Sequence, residues 1–344
     1  MESGLSNSIL FVCGSLNQTT QMHKIAQHLS GYHCAFTPYY ADGVEDFAAK
    51  MGWLNFSVLG GRHLTDTRKY LADHHLTVDE RGESRKYDLA VICSDLIIQK
   101  NIRDTRIVMV QEGITEPEGW LYQLYKAFPF LPRYIANTAT NGLSNGYDLF
   151  CVASEGYREL FIRKGVVADK IAVTGIPNFD HLAAHLENDF DHRDHVLVAT
   201  TPYRETFRAE DRIAFLERCR EIAAGRPMIF KLHPTENVDR ARREIKKVCP
   251  AATIYPTGDV NAMIANASVV ITQQSTCTFV ALALNKETYT FLNQQELRRL
   301  MPIQNGGASA ARIAAICQRV LHTPLPVLQQ VRKRYRPRPI WEKA

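Results

Sequence analysis

The sequence predicts an α/β chain made of two doubly wound, parallel-sheet domains. Three observations carry that prediction. Short apolar runs end on polar residues, helical patterns separate them, and the alternation stops near residues 183–194 and then starts again. A chain of 344 residues also exceeds the roughly 250–300 at which a single core stops growing.

Taken in order, residues 8–13 are the first strand, apolar without a break from Ile9, and they end in Gly14-Ser15. A helical pattern over residues 18–29 follows. This strand, small-residue turn and helix open the first sheet and aim the backbone amides of Gly14 and Ser15 at a ligand. Residues 34–39 are a second strand, and residues 44–78 are helix-rich with a turn at Gly60-Gly61. Residues 87–95 and 106–113 do not alternate polar with apolar, the pattern of central strands buried on both faces. Residues 148–156 lead into a helix over 157–164, and residues 170–175 are the last strand of a first domain spanning residues 1–182. Residues 183–194, charged and histidine-containing, are a linker. The second domain, residues 195–325, has strands at 195–200, 227–232, 253–255, 269–272 and 287–292. Its helices are expected at 211–224, 238–248, 260–266, 278–284 and 308–321. Residues 326–344 are a basic tail. The two domains are expected to face each other across a cleft, the preferred place for a small-molecule site.

Composition narrows the class. With 45% hydrophobic and 22% charged residues and no low-complexity tract, the chain is globular. No segment reaches the roughly 18 uncharged apolar residues of a membrane span, and no basic, apolar leader is visible, so a cytoplasmic protein is expected. The eight cysteines form no C-x-x-C pair, and Cys13, Cys93 and Cys151 lie inside apolar strands. That is the distribution of free, buried thiols rather than of zinc ligands or disulfides. A formal charge of +5 is mild and calls for no nucleic-acid partner. Much of it lies in Arg332-Lys333-Arg334-Tyr335-Arg336-Pro337-Arg338, either a solvated end or a peripheral contact with the inner face of an acidic membrane.

Residues 228–284 say most about chemistry. One strand ends in Lys231-Leu232-His233-Pro234, and another runs into Gln273-Gln274-Ser275-Thr276 before a helix. Carboxyl ends of parallel strands are where ligands bind, and a helix start offers free amides to an anion. Ser275 and Thr276 add hydroxyls, Lys231 a charge, and His233 a proton. The pattern fits a nucleotide mono- or diphosphate leaving group. Each piece alone has a plainer use, since Ser-Thr is an ordinary helix cap and His-Pro an ordinary turn. Thr201 and Arg204 follow the first strand of the second domain, where Arg204 is either a bidentate phosphate ligand or a surface arginine.

Several stretches carry a family resemblance. Residues 173–180, Val-Thr-Gly-Ile-Pro-Asn-Phe-Asp, look like the segment that ends the first domain in UDP-N-acetylglucosamine 2-epimerases and related transferases. Gln111-Glu112-Gly113 resembles the acidic-acidic-glycine motif of bacterial sialyltransferases and Kdo transferases, with Gln111 in place of the first acid. Lys231-Leu232-His233-Pro234 is similar to their His-Pro motif and to the Lys-x-His-Pro of polyol-phosphate transferases, and Gln274-Ser275-Thr276 to their serine pair at the donor phosphate. The resemblance implies a GT-B fold and an inverting transfer from a nucleotide-sugar donor, which is a substrate rather than a cofactor, to a glycan or lipid-linked acceptor. It also implies Glu112 as general base and His233 at the leaving phosphate.

The residues support those roles independently. A carboxylate at a strand end can take the proton of an attacking hydroxyl, and Glu112 is so placed, with Asp95, Glu116 and Glu118 as rivals. Its plainer use is to cap a helix or pair with an arginine. His233 and Lys231 would stabilise the departing anion, which needs no metal. Asp189-Phe190-Asp191, with His181 and His185 before it, lies in the linker and reads as a solvated face. Donor contacts fall mainly in the second domain and the base in the first, so catalysis is expected to need closure about the linker. The enzymatic rival is a 2-epimerase, since Asp95 and Glu112 fall where those enzymes carry an active-site Asp and Glu. Against it, the epimerase His is replaced by Pro202 or Tyr203, Gly14 is followed by Ser15-Leu16-Asn17, and residues 128–133 hold no second glutamate. A non-catalytic nucleotide-sugar-binding protein is the remaining alternative.

Overall fold

Unbroken apolar runs become parallel strands covered on both faces. The computed structural model describes residues 7–335 apart from residues 40, 56, 116, 117, 129, 206 and 207. The chain divides into two units, Met1–Asp180 with Pro302–Ala344, and His181–Met301.

In the first unit β1 (Ser8–Val12), β2 (His33–Thr37), β3 (Leu89–Ile92), β4 (Arg106–Val110), β5 (Leu149–Val152) and β6 (Ile171–Val173) pair in parallel in the order β2-β1-β3-β4-β5-β6. Ile9, Leu10 and Phe11 are fully buried, as are Leu89 to Val91 and Ile107 to Val110, which is why these strands show no alternation. Phe11 stacks on Phe36 with ring centres 5.1 Å apart. Helices α1 (Leu16–Ala26), α2 (Gly43–Lys50), α3 (Gly61–Asp73), α4 (Trp120–Ala127) and α5 (Glu155–Lys164) connect them. Strand order reverses between β1 and β3, a switch point that opens the sheet's carboxyl edge beside Gly14.

The second unit has β7 (His195–Ala199), β8 (Met228–Lys231), β9 (Thr253–Tyr255), β10 (Ala267–Thr272) and β11 (Glu287–Tyr289), all parallel in the order β11-β10-β7-β8-β9. Its helices are α6 (Arg212–Ala223), α7 (Val238–Val248), α8 (Val260–Asn266), α9 (Cys277–Ala283) and α10 (Gln294–Leu300). On α7, Ala241, Ile245 and Val248 face the core while Arg242, Arg243, Lys246 and Lys247 face water, a helical spacing of one apolar stripe. With Leu216 and Phe230 they form the core on one side of the sheet, where each large apolar side chain contributes about 1.5–3 kcal/mol by its burial. Here the order reverses between β7 and β10.

Three expectations about boundaries need correction. The second unit ends at Met301, not at residue 325, and the last helices, α11 (Ser309–His322) and α12 (Leu325–Tyr335), belong to the first unit. The apolar face of α11 (Ile313, Ala314, Cys317, Val320, Leu321) is buried, and the helix packs on α1 and β4. An amphipathic stripe shows that a helix is covered but not by which sheet. The basic tail is likewise not a free end over its described part. Arg332 is buried, its Nε donating to Asp148 Oδ1 at 2.6 Å and its Nη1 to the Arg103 carbonyl at 3.0 Å. Arg336 and Arg338 lie outside the described residues. The expected linker is also folded. Residues 182–186 form a 3₁₀ turn on the second unit, and Asn188 exchanges side-chain hydrogen bonds with Asn266 at 2.8 and 3.2 Å.

The chain therefore passes from unit to unit twice, and the two crossing segments are fastened together within the first unit. Ser309 N donates to Asp180 Oδ2 at 2.6 Å, Asn305 Nδ2 to the Thr174 carbonyl at 3.0 Å, and Gln304 Nε2 to the Phe179 carbonyl at 2.6 Å. Gly175 sits here at φ +81°, and a Cβ on it would lie 2.1 Å from Ser309 Oγ, so only glycine fits. Among the described residues no helix is long and apolar enough to cross a membrane.

Candidate functional site

The first group of site residues belongs to the first unit. Ser15 leaves β1 with extended backbone, and its hydroxyl oxygen accepts from Gln18 N at 3.2 Å, the N-cap that starts α1. The same hydroxyl donates to Glu112 Oε1 at 2.9 Å. Asn17 Nδ2 reaches that oxygen at 3.3 Å, and Gln18 Nε2 donates to Oε2 at 2.7 Å. The half-buried Glu112 carboxylate, just beyond β4, thus takes three neutral donors from one turn. A carboxylate has about four acceptor positions, so by these bonds one position on Oε2 is left for a proton. Gly14 faces α3, its carbonyl 3.5 Å from Thr67 Oγ1.

Neighbouring side chains fix this arrangement. Gln111 is buried, donating from Nε2 to the Gly113 carbonyl at 2.8 Å and accepting at Oε1 from Ala153 N at 2.9 Å. A carboxylate could not make the first of these bonds, which accounts for glutamine where the resembling motif has an acid. Asn178, in the stretch that resembles the end of the first epimerase domain, donates to Asn17 Oδ1 at 2.8 Å and to Thr20 Oγ1 at 3.0 Å. His63 was not singled out from the sequence. It lies one turn before Thr67, which bonds Thr19 at 3.2 Å, so it shares the α3 face turned toward the Ser15 turn. Burial pulls its imidazole below the ordinary range, and the nearby Glu112 charge opposes that pull.

Asp95 has a different place. It is fully buried, accepting from Arg133 Nη1 at 2.8 Å, Gly142 N at 2.8 Å and Ser144 N at 2.9 Å. Those bonds staple the loop after β3 to residues 133–144. Of the remaining rivals, Glu118 is exposed ahead of α4 and Glu116 lies outside the described residues.

The second group surrounds the switch point of the second unit. Just past β7, Thr201 Oγ1 lies 3.4 Å from both the amide and the carbonyl of Gln274, just past β10. From β8, Lys231 Nζ donates to the Leu232 carbonyl at 2.9 Å. Its charge also reaches Cys277 at the start of α9: burial pushes that thiol up, while the Ser275 hydroxyl and the Lys231 ammonium pull it down. His233 N donates to Thr200 Oγ1 and to Glu236 Oε2, both at 3.2 Å. His233 Nδ1 lies 2.8 Å from Thr235 Oγ1 and 3.3 Å from Thr235 N; with Nδ1 accepting from that amide, a neutral ring carries its proton on Nε2. Pro234 follows, exposed. Ser275 Oγ accepts from Cys277 N at 3.2 Å, and the Thr276 carbonyl accepts from Phe279 N at 3.0 Å.

Arg204 does not present its guanidinium to this edge. It forms a bidentate pair with Glu244, 2.7 Å for each bond, and lies 3.5 Å from Glu210. The pairing raises the arginine and lowers Glu244 from their ordinary ranges. A buried ionic group that the motif reading missed continues from there. Arg212 Nη1 lies 3.3 Å from Glu210 Oε1, and its Nη2 donates to Glu236 Oε1 at 2.7 Å. Glu210 Oε1 also accepts from Gln273 Nε2 at 3.0 Å. Burial pushes the Glu236 carboxyl up, opposed by Arg212, Thr200 and the His233 amide. The available signal was the four-residue spacing of Arg204, Arg208 and Arg212 next to a strand end. His185 of the histidine and aspartate run meets Asn261 at 3.3 Å, and among the described residues no three His, Cys, Asp or Glu gather as metal ligands.

A scan against protein-family models and a search of curated proteins each find no match. Solved structures do match. The UDP-GlcNAc 2-epimerase from Neisseria meningitidis bound to UDP-GlcNAc superposes with a TM-score of 0.56 at 12% identity, over 91% of this chain and 100% of that one. The epimerase from Methanocaldococcus jannaschii, in complex with UDP-GlcNAc and UDP, gives 0.54 at 14% identity, over 91% and 99%. The wall teichoic acid polymerase TagF gives 0.53 at 12% identity, over 92% and 89%. At such identities the likeness is one of fold. With a parallel sheet of six strands in one unit and of five in the other, the chain has the GT-B fold that these structures share.

Proposed function

We propose that the protein is a metal-independent, inverting glycosyltransferase that moves a sugar from a nucleotide-activated donor to a hydroxyl of a glycan or lipid-linked acceptor. In this reading it acts in surface-glycan assembly at the cytoplasmic face of a membrane. The observation that carries the proposal is the polar edge beside the β7/β10 switch point, where the His233 ring and the Lys231 ammonium at the end of β8 and the 274–276 loop past β10 flank the end of β7. The fold likeness to proteins whose structures hold UDP-GlcNAc or UDP supports a nucleotide-sugar ligand, for a transferase and an epimerase alike.

In the reaction, the acceptor oxygen bonds to the anomeric carbon as the bond from that carbon to the phosphate oxygen breaks. Glu112 Oε2 takes the acceptor proton, and the phosphate leaves with both bonding electrons. His233 and Lys231 stabilise that developing charge, the Ser275 and Thr276 hydroxyls bind it, and Thr201 and Gln274 shape the loop. Ser15 holds the base, with Gly14 turning the chain beside it.

The rival, a UDP-GlcNAc 2-epimerase, shares the fold. Asp95 speaks against it, because its side chain is fully buried and paired with the Arg133 guanidinium, which holds it away from proton transfer at a sugar. Residues 128–133 offer that arginine where the epimerase resemblance asks for a glutamate. The deciding experiment is mass spectrometry, with ¹H NMR to resolve C2 epimers of equal mass, of UDP-, CMP-, CDP- and GDP-sugars incubated with the protein and hydroxyl acceptors in EDTA. Release of free nucleotide with transfer or hydrolysis of the sugar supports the proposal. Activity that needs manganese after chelation removes the metal-independent reading, and C2 interconversion without nucleotide release makes the protein an epimerase. Tight nucleotide binding with no product marks a binding protein.

A further inference from the structure

We infer that Glu236 and Arg212 are positioning residues for the His233 turn, and that Arg212 keeps that turn in register with the loop after β10. The inference rests on the phosphate-binding reading above. Neither side chain is placed at the reacting atoms. Glu236 Oε2 accepts from His233 N at 3.2 Å and from the Thr200 hydroxyl, so it fixes the backbone that carries the imidazole. Its Oε1 takes Arg212 Nη2 at 2.7 Å, and the two side chains are only 2% and 3% exposed.

A buried ion pair of this kind loses hydration that its mutual attraction only just returns, and apolar residues of equal volume are often as stabilising. Stability alone therefore does not account for it, whereas geometry does. The other arm of Arg212 lies 3.3 Å from Glu210 Oε1, the same oxygen that accepts from Gln273 Nε2 at 3.0 Å. Gln273 is the first residue past β10 and precedes Gln274 and Ser275. One continuous path, His233 amide to Glu236 to Arg212 to Glu210 to Gln273, thus joins the end of β8 to the end of β10 across the intervening β7. Loosening either end should loosen the other.

The test is a double-mutant cycle with Glu236→Gln and Gln273→Met, both near-isosteric. Binding of the tightest of UDP, CMP, CDP and GDP is measured by calorimetry, and the His233 ring by ¹⁵N NMR. Each single variant should weaken binding about 10-fold, and the double variant by little more than either, not by the product of about 100-fold. Gln273→Met, though it touches no atom of His233, should also move the ¹⁵N resonances of the His233 ring. Additive losses, or a His233 spectrum unchanged in Gln273→Met, would overturn the inference. If Glu236→Gln does not fold, Thr200→Val removes the other hydroxyl link to the same turn and completes the cycle with the same expectations. Absence of nucleotide binding in the wild type would sink the phosphate reading, while the NMR comparison would still decide whether the two loops are coupled.

Discussion

Glu112 and Glu236 are both glutamates just past parallel strands, yet they sit in opposite settings. Glu112 is half-buried and held by neutral donors from Ser15, Asn17 and Gln18, so its charge is oriented but not cancelled. Glu236 is buried against Arg212, and its second oxygen is spent on the Thr200 hydroxyl and the His233 amide. The first setting suits a group that must accept a proton, the second a group that must not move. Residue type and strand-end position are the same, and the partners decide the role.

The comparison breaks most visibly under substitution of the two carboxylates. Glu112→Gln keeps the size of the side chain but cannot accept the proton, so turnover should fall by roughly 10²- to 10⁴-fold with nucleotide affinity unchanged. A folded Glu112→Gln protein with near wild-type turnover would move the base elsewhere, first to exposed Glu118. Urea unfolding should give the reverse ranking. Glu236→Ala leaves the Arg212 guanidinium buried without this partner and should cost about 3–5 kcal/mol. Glu112→Ala strands neutral donors only, two of them on the buried side chains of Ser15 and Gln18, at about 1–3 kcal/mol. Equal losses would erase the distinction.

A smaller effect sharpens the second unit's part. Ser275→Ala combined with Thr276→Val removes two hydroxyls from the proposed phosphate edge and should weaken nucleotide binding about 10-fold, with the turnover of bound donor less affected. The smallest effect concerns pH. His195, at the start of β7, is 1% exposed, and burial together with the His192 charge pushes its pKa from 6.5 down to about 4. The unfolded ring takes up a proton that the folded ring refuses, so this contribution is whole above pH 6.5 and is lost as pH falls toward 4. Between pH 7 and 5.5 it amounts to about 1 kcal/mol. His195→Leu should flatten that part of the stability profile, and an unchanged slope would remove His195 as its cause.

Much of this fold was legible because parallel strands buried on both faces leave an unmistakable trace. The runs around Phe11, Val91, Val108 and Val270 are apolar without alternation, and each ends in the polar residues that line a sheet edge. Helix α7 matched its expected span, Val238–Val248, because its stripe is regular and Asn237 caps it. What was hidden depends on long-range partners. Nothing local says that α11 covers the first sheet, or that Arg332, in a run that reads as a solvated tail, pairs with Asp148 far away in sequence. Arg204 was legible as an arginine near a strand end but not as the partner of Glu244 on α7. Helix α10 carried its signal in Asn293, whose side chain caps Gln295 and Glu296, but the helix is short. The motifs around Glu112 and His233 point to them as candidates, and the side chains that hold them in place have no such local mark.

The central claim is that the carboxyl edge at the β7/β10 switch point binds a nucleotide phosphate through His233. Isothermal titration of UDP, CMP, CDP and GDP into wild type, His233→Ala and Glu112→Gln, all in EDTA, tests it most directly. At least one nucleotide should bind the wild type and Glu112→Gln alike, and His233→Ala should bind it about 10-fold or more weakly, as expected when a donor to a charged phosphate is lost. No binding by any nucleotide, or equal binding by His233→Ala, would contradict it.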